Sequence, residues 1–421
     1  MKRILLITYY FPPCGGAPVQ RWLRFIPRLI DSGYGVTVIC PEQGDYPSFD
    51  PSLLETIPGE VKIIRCGKNN IKRWWRLLTR KGDSLPYGNL ERSEEDSWLK
   101  RLIVWLRLNL VIPDMRMVWN PSALNHAITE LRSNAYNAVI TTGPPQSTHL
   151  IGLKLKQMFP VYWITDFRDP WSEIHYLKLN PPGKHALKLH KHLEQRVLST
   201  ADMNVIVSHS IADQLPEGNK VVIYNGFEPE QFAKLSFSSG EQFRIKYIGM
   251  ITAGQRLEPL INAMNDLHVG STIEFSVIGK NDKAVHEKIK AASKSYSLKI
   301  SDFLPHAKAL EEMVNAELLV LLINEYEGNE GMLTTKLFEY LGSRTPILCL
   351  GNTRGEAAEV IRTCDAGNCF EYEDSGVSEY IRSVYQSWKD GNPLRSTGII
   401  SAYGTTGQIG KLLELIPDRR P

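Results

Sequence analysis

Residues 330–350, EGMLTTKLFEYLGSRTPILCL, decide how this chain is read. They open as a polar loop, enter a helix, pass a Gly-containing turn and end in an apolar strand. Glu339 falls inside the helix among Leu337, Phe338, Tyr340 and Leu341. A glutamate is almost never fully buried without a partner, so its carboxylate calls for a donor-rich ligand, and ribose hydroxyls are one. Thr334, Thr335 and Lys336 lie near the helix start. Unpaired backbone N–H groups and the positive end of the helix dipole favour a phosphate there. The segment therefore has the groups to hold a nucleotide by both its sugar and its phosphates. The other reading of the same residues is an amphipathic helix with one salt-bridged glutamate, and the rest of the chain weighs between them.

At 421 residues the chain exceeds one ordinary core, so two domains are expected. The net charge of +3 is too small to argue for a nucleic-acid partner. The start, MKRILLITYYFPP, has an apolar run that is short and meets Pro12 and Pro13 without a small-residue cleavage site, so it reads as a first buried strand. No apolar run is long enough for a transmembrane helix. The cysteines at 14, 40, 66, 349, 364 and 369 form no CxxC and read as buried free thiols of a reducing cytosol. His185, His190 and His192 cluster without a metal-ligand spacing and read as a solvated helix face.

Outward from the opening stretch, strands and helices alternate. Apolar runs at 4–7, 36–40, 61–64, 138–141, 161–165, 203–207 and 221–223 predict the strands of a first half. Runs at 243–248, 273–278, 298–300, 318–323 and 346–350 predict a second set. Such alternation gives two open parallel sheets covered by helices, an α/β fold of two Rossmann-like domains facing across a cleft. The boundary is expected within 226–240. The assignment is 1–228 for the first domain, 229–400 for the second, and 401–421 for a tail whose helix at 408–416 packs back on the first. Residues 71–120 break the rhythm as a helical insertion.

Ligands of such sheets sit at the carboxyl ends of strands, so the loops there carry the candidate chemistry. Gly15 and Gly16 follow the first strand and precede a helix, where glycine lets the backbone approach a ligand; a plain tight turn is the alternative. Asp166, Arg168 and Asp169 follow the strand at 161–165 and suit hydroxyl binding and charge stabilisation, or else a structural Arg–Asp pair. Asn225 ends the first half as a turn or hinge. Gly249 and Arg256 bracket the loop after the first strand of the second half, and an arginine fork suits a diphosphate, or is a surface arginine beside a turn.

In their order and spacing, YYFPPCGGAPVQR, TGPPQSTHLIG with DFRDPW, IYNGF, YIGMITAGQR and KLFEYLGSRTPIL resemble the bacterial glycosyltransferases of the GT-B fold, the retaining family-4 type that builds lipopolysaccharide, capsule or exopolysaccharide. The resemblance spans nearly the whole chain. It implies a nucleotide-diphosphate sugar as donor, held mainly by the second domain, with Glu339 on ribose, Arg256, Thr335 and Lys336 at the diphosphate, and Gly15, Gly16, Asn225 and Gly249 approaching the donor. The family's usual pair of glutamates has seven residues between them; here Gly331 stands at the first position and Glu330 is one step off. Many members also carry a histidine at the end of a first-domain strand, where this chain offers Asp166, Arg168 and Asp169 as the candidate catalytic group. The resemblance implies retention at the anomeric centre, departure of the diphosphate ahead of attack by the acceptor hydroxyl, and closure that excludes water. With no DxD motif, neither an obligatory metal nor another cofactor is expected. The acceptor is a glycan or a lipid-linked glycan.

The insertion interleaves Lys72, Arg73, Arg76, Arg80 and Lys81 with Trp74 and Trp75, and repeats Trp98, Leu102, Trp105 and Leu106 at helical spacing. Tryptophan with basic residues on an amphipathic helix suits an anionic membrane surface, so peripheral contact through 71–118 on the inner face of the plasma membrane is one expectation; an ordinary helical subdomain is the other. Competing functions on the same fold are a sugar-nucleotide epimerase, a phosphorylase, or an inactive scaffold of a polysaccharide assembly, the last kept open by the displaced first glutamate.

Overall fold

The computed structural model describes residues 2–68, 98–251, 255–267, 272–279, 281, 283–302, 304–326 and 328–418. Residues 71–97 of the insertion expected at 71–120, and residues 252–254 of the expected donor loop, lie outside the described residues. The chain divides into two compact units, Met1–Tyr224 with Ile409–Pro421, and Asn225–Gln408.

In the first unit the strands are β1 (Lys2–Thr8), β2 (Tyr34–Gln43), β3 (Lys62–Lys68), β4 (Ala138–Gly143), β5 (Trp163–Phe167), β6 (Met203–Ile206) and β7 (Lys220–Val222). They form a parallel sheet of order β3-β2-β1-β4-β5-β6-β7. The helices are α1 (Ala17–Asp31), α2 (Trp98–Leu110), α3 (Asn120–Ser133), α4 (Ser147–Met158), α5 (His175–Leu179), α6 (Lys184–Thr200) and α7 (His209–Gln214). The apolar run Ile4 to Ile7 explains the layering. Leu5 and Ile7 join one core with Val139 and Trp163, while Ile4 and Leu6 join another with Phe25 and Ile140. Alternate residues of one strand feed opposite faces, so both faces are covered, as a parallel sheet requires. Ile409, Leu412 and Ile416 belong to the second of these cores.

The second unit has α8 (Pro229–Phe232), β8 (Phe243–Ile248), α9 (Glu258–Asn265), β9 (Ile273–Ile278), α10 (Lys283–Ala292), β10 (Ser297–Ser301), α11 (His306–Val314), β11 (Leu318–Leu322), α12 (Thr335–Ser343), β12 (Ile347–Leu350), α13 (Glu356–Thr363), β13 (Gly367–Phe370) and α14 (Gly376–Lys389). Its parallel sheet runs β10-β9-β8-β11-β12-β13. α15 (Thr405–Leu415) begins in this unit and ends in the first.

Both sheets reverse direction beside their first strand, between β1 and β4 and between β8 and β11. That switch point is where loops diverge and leave a crevice at the carboxyl edge. Two local expectations change. Gly342 lies inside α12 and does not make the turn: a Cβ there would stand 2.5 Å from the Phe232 ring, so the glycine is a contact point, and Arg344 takes the left-handed cap with φ 61°. His190 is buried and accepts from Trp171 Nε1 at 3.1 Å, leaving only His185 and His192 on the solvated face of α6.

Candidate functional site

The first unit places its candidate residues where β4 and β5 end. Asp166, on β5, is 1% exposed. Its Oδ2 accepts from Trp22 Nε1 at 3.0 Å and from Thr142 Oγ1 at 2.7 Å, and its Oδ1 lies 3.1 Å from Arg21 Nε. Burial pushes the Arg21 guanidinium down and Asp166 pulls it back up. A buried charge pair of this kind fixes geometry: it ties α1 to β4 and β5. Arg168 works differently. Its Nε donates to the Gly143 carbonyl at 2.9 Å, its Nη2 to Pro144 O at 3.3 Å, and its Nη1 to Pro18 O. These carbonyls satisfy its donors without neutralising its charge. Asp169 is half-buried, and its carboxylate makes no hydrogen bond to a described residue. Burial raises it to about 6, with Arg168 pulling the other way. Of the two aspartates, Asp169 is therefore the one whose carboxylate is open to a ligand.

The glycines before α1 have distinct jobs. Gly16 caps the helix with φ 79°, and no side chain caps that end. A Cβ on Gly15 would lie 3.0 Å from both Asp50 Cβ and Ser48 Oγ, so packing against the 48–50 loop selects glycine there.

His149 joins this group from the first turn of α4 and is completely buried. Trp163 Nε1 donates to Thr141 Oγ1 at 2.9 Å, and Thr141 Oγ1 lies 2.9 Å from His149 Nδ1. An indole can only donate, so Trp163 takes one lone pair of the hydroxyl; with the threonine proton given to Nδ1, the histidine proton sits on Nε2, which has no hydrogen-bond partner among the described residues. Burial pushes His149 down to about 3, so the ring is neutral at neutral pH. Nε2 and Gln146 Oε1 approach the position a Gly143 Cβ would occupy to within 2.7 and 2.5 Å. Gln146 Nε2 in turn reaches the carbonyls of Asp169 and Pro170 at 3.2 and 3.3 Å. Replacing Thr141 with valine is expected to release the tautomer, read as a change in the 15N shifts of His149; an unchanged ring would show that threonine does not set it.

In the second unit, α12 follows β11 at the switch point. Thr334 precedes it in an extended conformation and offers no side-chain cap, and its buried Oγ1 has no hydrogen-bond partner among the described residues. Lys336 Nζ donates to Tyr247 Oη at 2.8 Å and lies 4.6 Å from that ring's centre. Burial lowers this lysine to about 8, opposed by Glu339. Glu339, one turn on, keeps 12% of its side chain exposed and sits 3.0 Å from His306 Nε2 at the start of α11. Tyr247 Oη is also 3.1 Å from Gln255 Oε1, which ties Lys336 to the loop bearing Arg256. Gly249 has φ 139°, and a Cβ there would come within 2.3 Å of Lys336 Cε. Gly249→Ala is therefore expected to displace Lys336, cutting nucleotide affinity roughly tenfold, the loss of about 1.4 kcal/mol, in a calorimetric titration; unchanged affinity would separate Lys336 from binding.

Arg256 meets Glu325 at 3.0 Å and Glu373 at 2.8 Å, and lies 4.9 Å from the Tyr372 ring centre. Beside it is a cavity of about 520 Å³ lined by Glu325, Tyr326, Asn329, Glu330, Asn352 and Tyr372 among others. Among the described residues no group of three or more His, Cys, Asp or Glu side chains could hold a metal ion.

No family model matches the sequence, and no curated protein matches it. Solved structures do. HepE from Anabaena, in complex with UDP, superposes with a TM-score of 0.61 at 13% identity, over 98% of this chain and 99% of that one. The lipopolysaccharide outer core galactosyltransferase WaaB superposes at 0.57 and 13% identity, over 98% and 99%. A Listeria monocytogenes protein assigned as a UDP-N-acetylglucosamine 2-epimerase superposes at 0.55 and 11% identity, over 98% and 95%. At such identities the likeness speaks for the fold.

The fold is GT-B.

Within this GT-B chain the predicted residues fall into separate groups. Thr335, Lys336 and Glu339 share α12, and Gly249 underlies Lys336. Glu330 lines the cavity, and Arg256 reaches it only by pairing with another lining residue, Glu325. Asp166, Arg168, Asp169, Gly15 and Gly16 lie in the first unit, whereas Asn225 opens the second. His306, Tyr247, Gln146 and His149 were missed as site residues. His149 is the H of TGPPQSTHLIG, and its signal was its position just after a predicted strand end. His306 gave none, since its partner lies on another helix.

Proposed function

We propose that this protein is a glycosyltransferase that moves a sugar from a UDP-type nucleotide-diphosphate sugar to a glycan or lipid-linked glycan, with retention, in surface polysaccharide biosynthesis. The observation that carries the reading is the pairing on α12 of a buried Lys336, its ammonium lowered to about 8, with Glu339 one turn away, below an uncapped helix start at a sheet switch point. Glu339 takes the ribose hydroxyls, giving up or sharing His306. Lys336 and the first-turn N–H groups take the diphosphate, and Gly249 and Thr335 keep the approach open. Arg256 reaches the same diphosphate only by leaving Glu325 or Glu373, so those glutamates compete with the ligand. HepE was solved with UDP, which supports a uridine donor, and WaaB is named a galactosyltransferase, which supports sugar transfer.

In the first unit Asp169 is the carboxylate open to the reacting sugar, with Arg168 supplying nearby positive charge and His149 an Nε2–H donor. Asn225, Gly15 and Gly16 border the donor as backbone contacts, and Glu330 serves a sugar hydroxyl. Catalysis of this kind rests on stabilising the leaving diphosphate rather than on a strong base. No metal is required, so excess EDTA is expected to leave transfer unchanged; a loss restored by a divalent ion would reverse that part.

Thermal shift with UDP-, GDP-, ADP- and TDP-sugars tests the donor site. UDP-sugars are expected to raise the melting temperature of wild type and not of Glu339→Ala. An equal shift in both would overturn the assignment of Glu339. The second reading, a sugar-nucleotide epimerase, is favoured by the Listeria neighbour; it predicts conversion of the nucleotide sugar without any acceptor.

A further inference from the structure

Tyr247 sits in β8 at a place where packing alone asks for no hydroxyl. Phe243, Ile245 and Tyr247 alternate onto the same core, and Tyr247 is completely buried. A buried hydroxyl is unfavourable unless it is hydrogen-bonded, so a phenylalanine would serve the core as well. What the oxygen does is meet Lys336. Nζ donates to Oη at 2.8 Å, and this is the only hydrogen bond Nζ makes among the described residues. The nitrogen also lies 4.6 Å from the centre of the ring. From the other side Gly249 leaves it room, since a Cβ there would stand 2.5 Å from Nζ. The phenol proton has two acceptors, Met250 O at 2.9 Å and Gln255 Oε1 at 3.1 Å, one from each limb of the loop that follows β8. Gln255 Nε2 donates to Leu322 O at 3.0 Å, which turns Oε1 toward the phenol. A phenol has one proton and accepts with its lone pairs, so acceptors on the loop side present those lone pairs to Lys336. Burial holds the phenol well above its ordinary range, and it stays a neutral hydroxyl rather than a base.

We propose that Tyr247 is a positioning residue for the donor diphosphate, its hydroxyl, oriented by Gln255 and Met250, fixing the Lys336 amine at the start of α12. The proposal rests on the donor reading of α12. The hydroxyl acts in two ways. It engages one of the three ammonium protons and leaves the other two, in fixed directions, for phosphate oxygens. A hydrogen bond from an ammonium is also stronger than one from a neutral amine. The hydroxyl therefore favours the charged form, the one that binds phosphate, against the burial that lowers it. The titratable groups about this pair are Glu339 on the same helix, which also favours the ammonium, His306 on α11 beyond it, and the buried phenols of Tyr340 and Tyr372. None of these hydrogen-bonds Nζ.

The first arm of the test uses no nucleotide. Lysine 13C resonances of the full chain, with Lys336 assigned through Lys336→Met, give its titration in the free protein. Tyr247→Phe keeps the ring and removes only the hydroxyl. The Lys336 midpoint, about 8 in wild type, is expected to move down by about one pH unit, the size that a hydrogen bond to a charged group carries. Gln255→Leu keeps the hydroxyl but not its orientation; it should move the midpoint the same way by less, and it serves where Tyr247→Phe does not fold. The second arm is calorimetric titration with UDP. At pH 7.5 Tyr247→Phe should bind about threefold more weakly from the charge alone. The pH above which affinity falls should move down with the midpoint. In a Lys336→Met background Tyr247→Phe should lose nothing more, because the hydroxyl acts through the lysine. An unmoved midpoint in the folded variants, or a further loss in the Lys336→Met background, overturns the proposal and leaves the donor reading standing. A moved midpoint with no UDP binding by wild type overturns the donor reading and the role of Tyr247 in it.

Discussion

Asp166→Ala is expected to lower the stability of the first unit by about 3–5 kcal/mol, the cost of leaving one member of a buried ion pair without its partner. Arg21 and Asp166 each keep 2% of their side chain exposed. Without the carboxylate, the Arg21 charge stays buried in the sheet–helix interface, where its Nη1 donates to the neutral Tyr224 carbonyl at 2.8 Å. Trp22 and Thr142 lose their acceptor at the same time. Urea unfolding followed by tryptophan fluorescence reads this, since Trp22 itself reports the site. Arg21→Met combined with Asp166→Ala should recover part of the loss, because an apolar pair of similar volume carries no stranded charge. A single-variant loss below about 1 kcal/mol, the range of an exposed pair, would show that the pair does not hold α1 to the sheet. Asp169→Asn provides the contrast: its carboxylate supports no described contact, so the proposal gives it a loss of transfer with little change in unfolding.

Lys336→Met is expected to weaken UDP binding at pH 7 by roughly 10- to 100-fold, corresponding to about 1.5–3 kcal/mol for a hydrogen bond to a charged group. The pH dependence is the sharper test. Lys336 has its ammonium pushed down to about 8. A diphosphate beside it favours the charged form and raises that value again. Below pH 8 the lysine is already charged and affinity is flat on its account. Above pH 8 binding must take up a proton, and affinity should fall by up to tenfold per pH unit. Lys336→Met should remove that slope. Titration calorimetry across pH 7 to 9.5 decides it: parallel curves for wild type and variant would remove Lys336 from the diphosphate.

The two predictions come from residues that were legible in the sequence to different degrees. Strands such as Ile4 to Ile7 announce themselves because a two-face-buried parallel strand needs an unbroken apolar run, and that requirement is local. The same holds for α12: helix period, an internal glutamate and a lysine at the start are read along one segment, so Lys336 and Glu339 are proposed together. β/α alternation then led to two Rossmann-like units, because right-handed crossovers leave few ways to arrange such strands; the GT-B class came from the resemblance carried by the motifs.

What tertiary structure alone decided are the partnerships. Asp166 and Asp169 look alike in DFRDPW, yet one is consumed by Trp22, 144 positions away, and the other is not. Arg256 reads as a free cation until β11 and β13 bring Glu325 and Glu373 to it. His149 meets Thr141 and, through it, Trp163 across two neighbouring strands. The apolar stripe of α2 could have been core or surface; only the packing of Leu108 on Leu177 says which side faces out. Periodicity and propensity act over a few residues and are written in the chain. Which charge is neutralised, which carboxylate stays open and which face stays wet depend on neighbours that only the folded sheet brings within 3 to 4 Å, the range over which hydrogen bonds and ion pairs act.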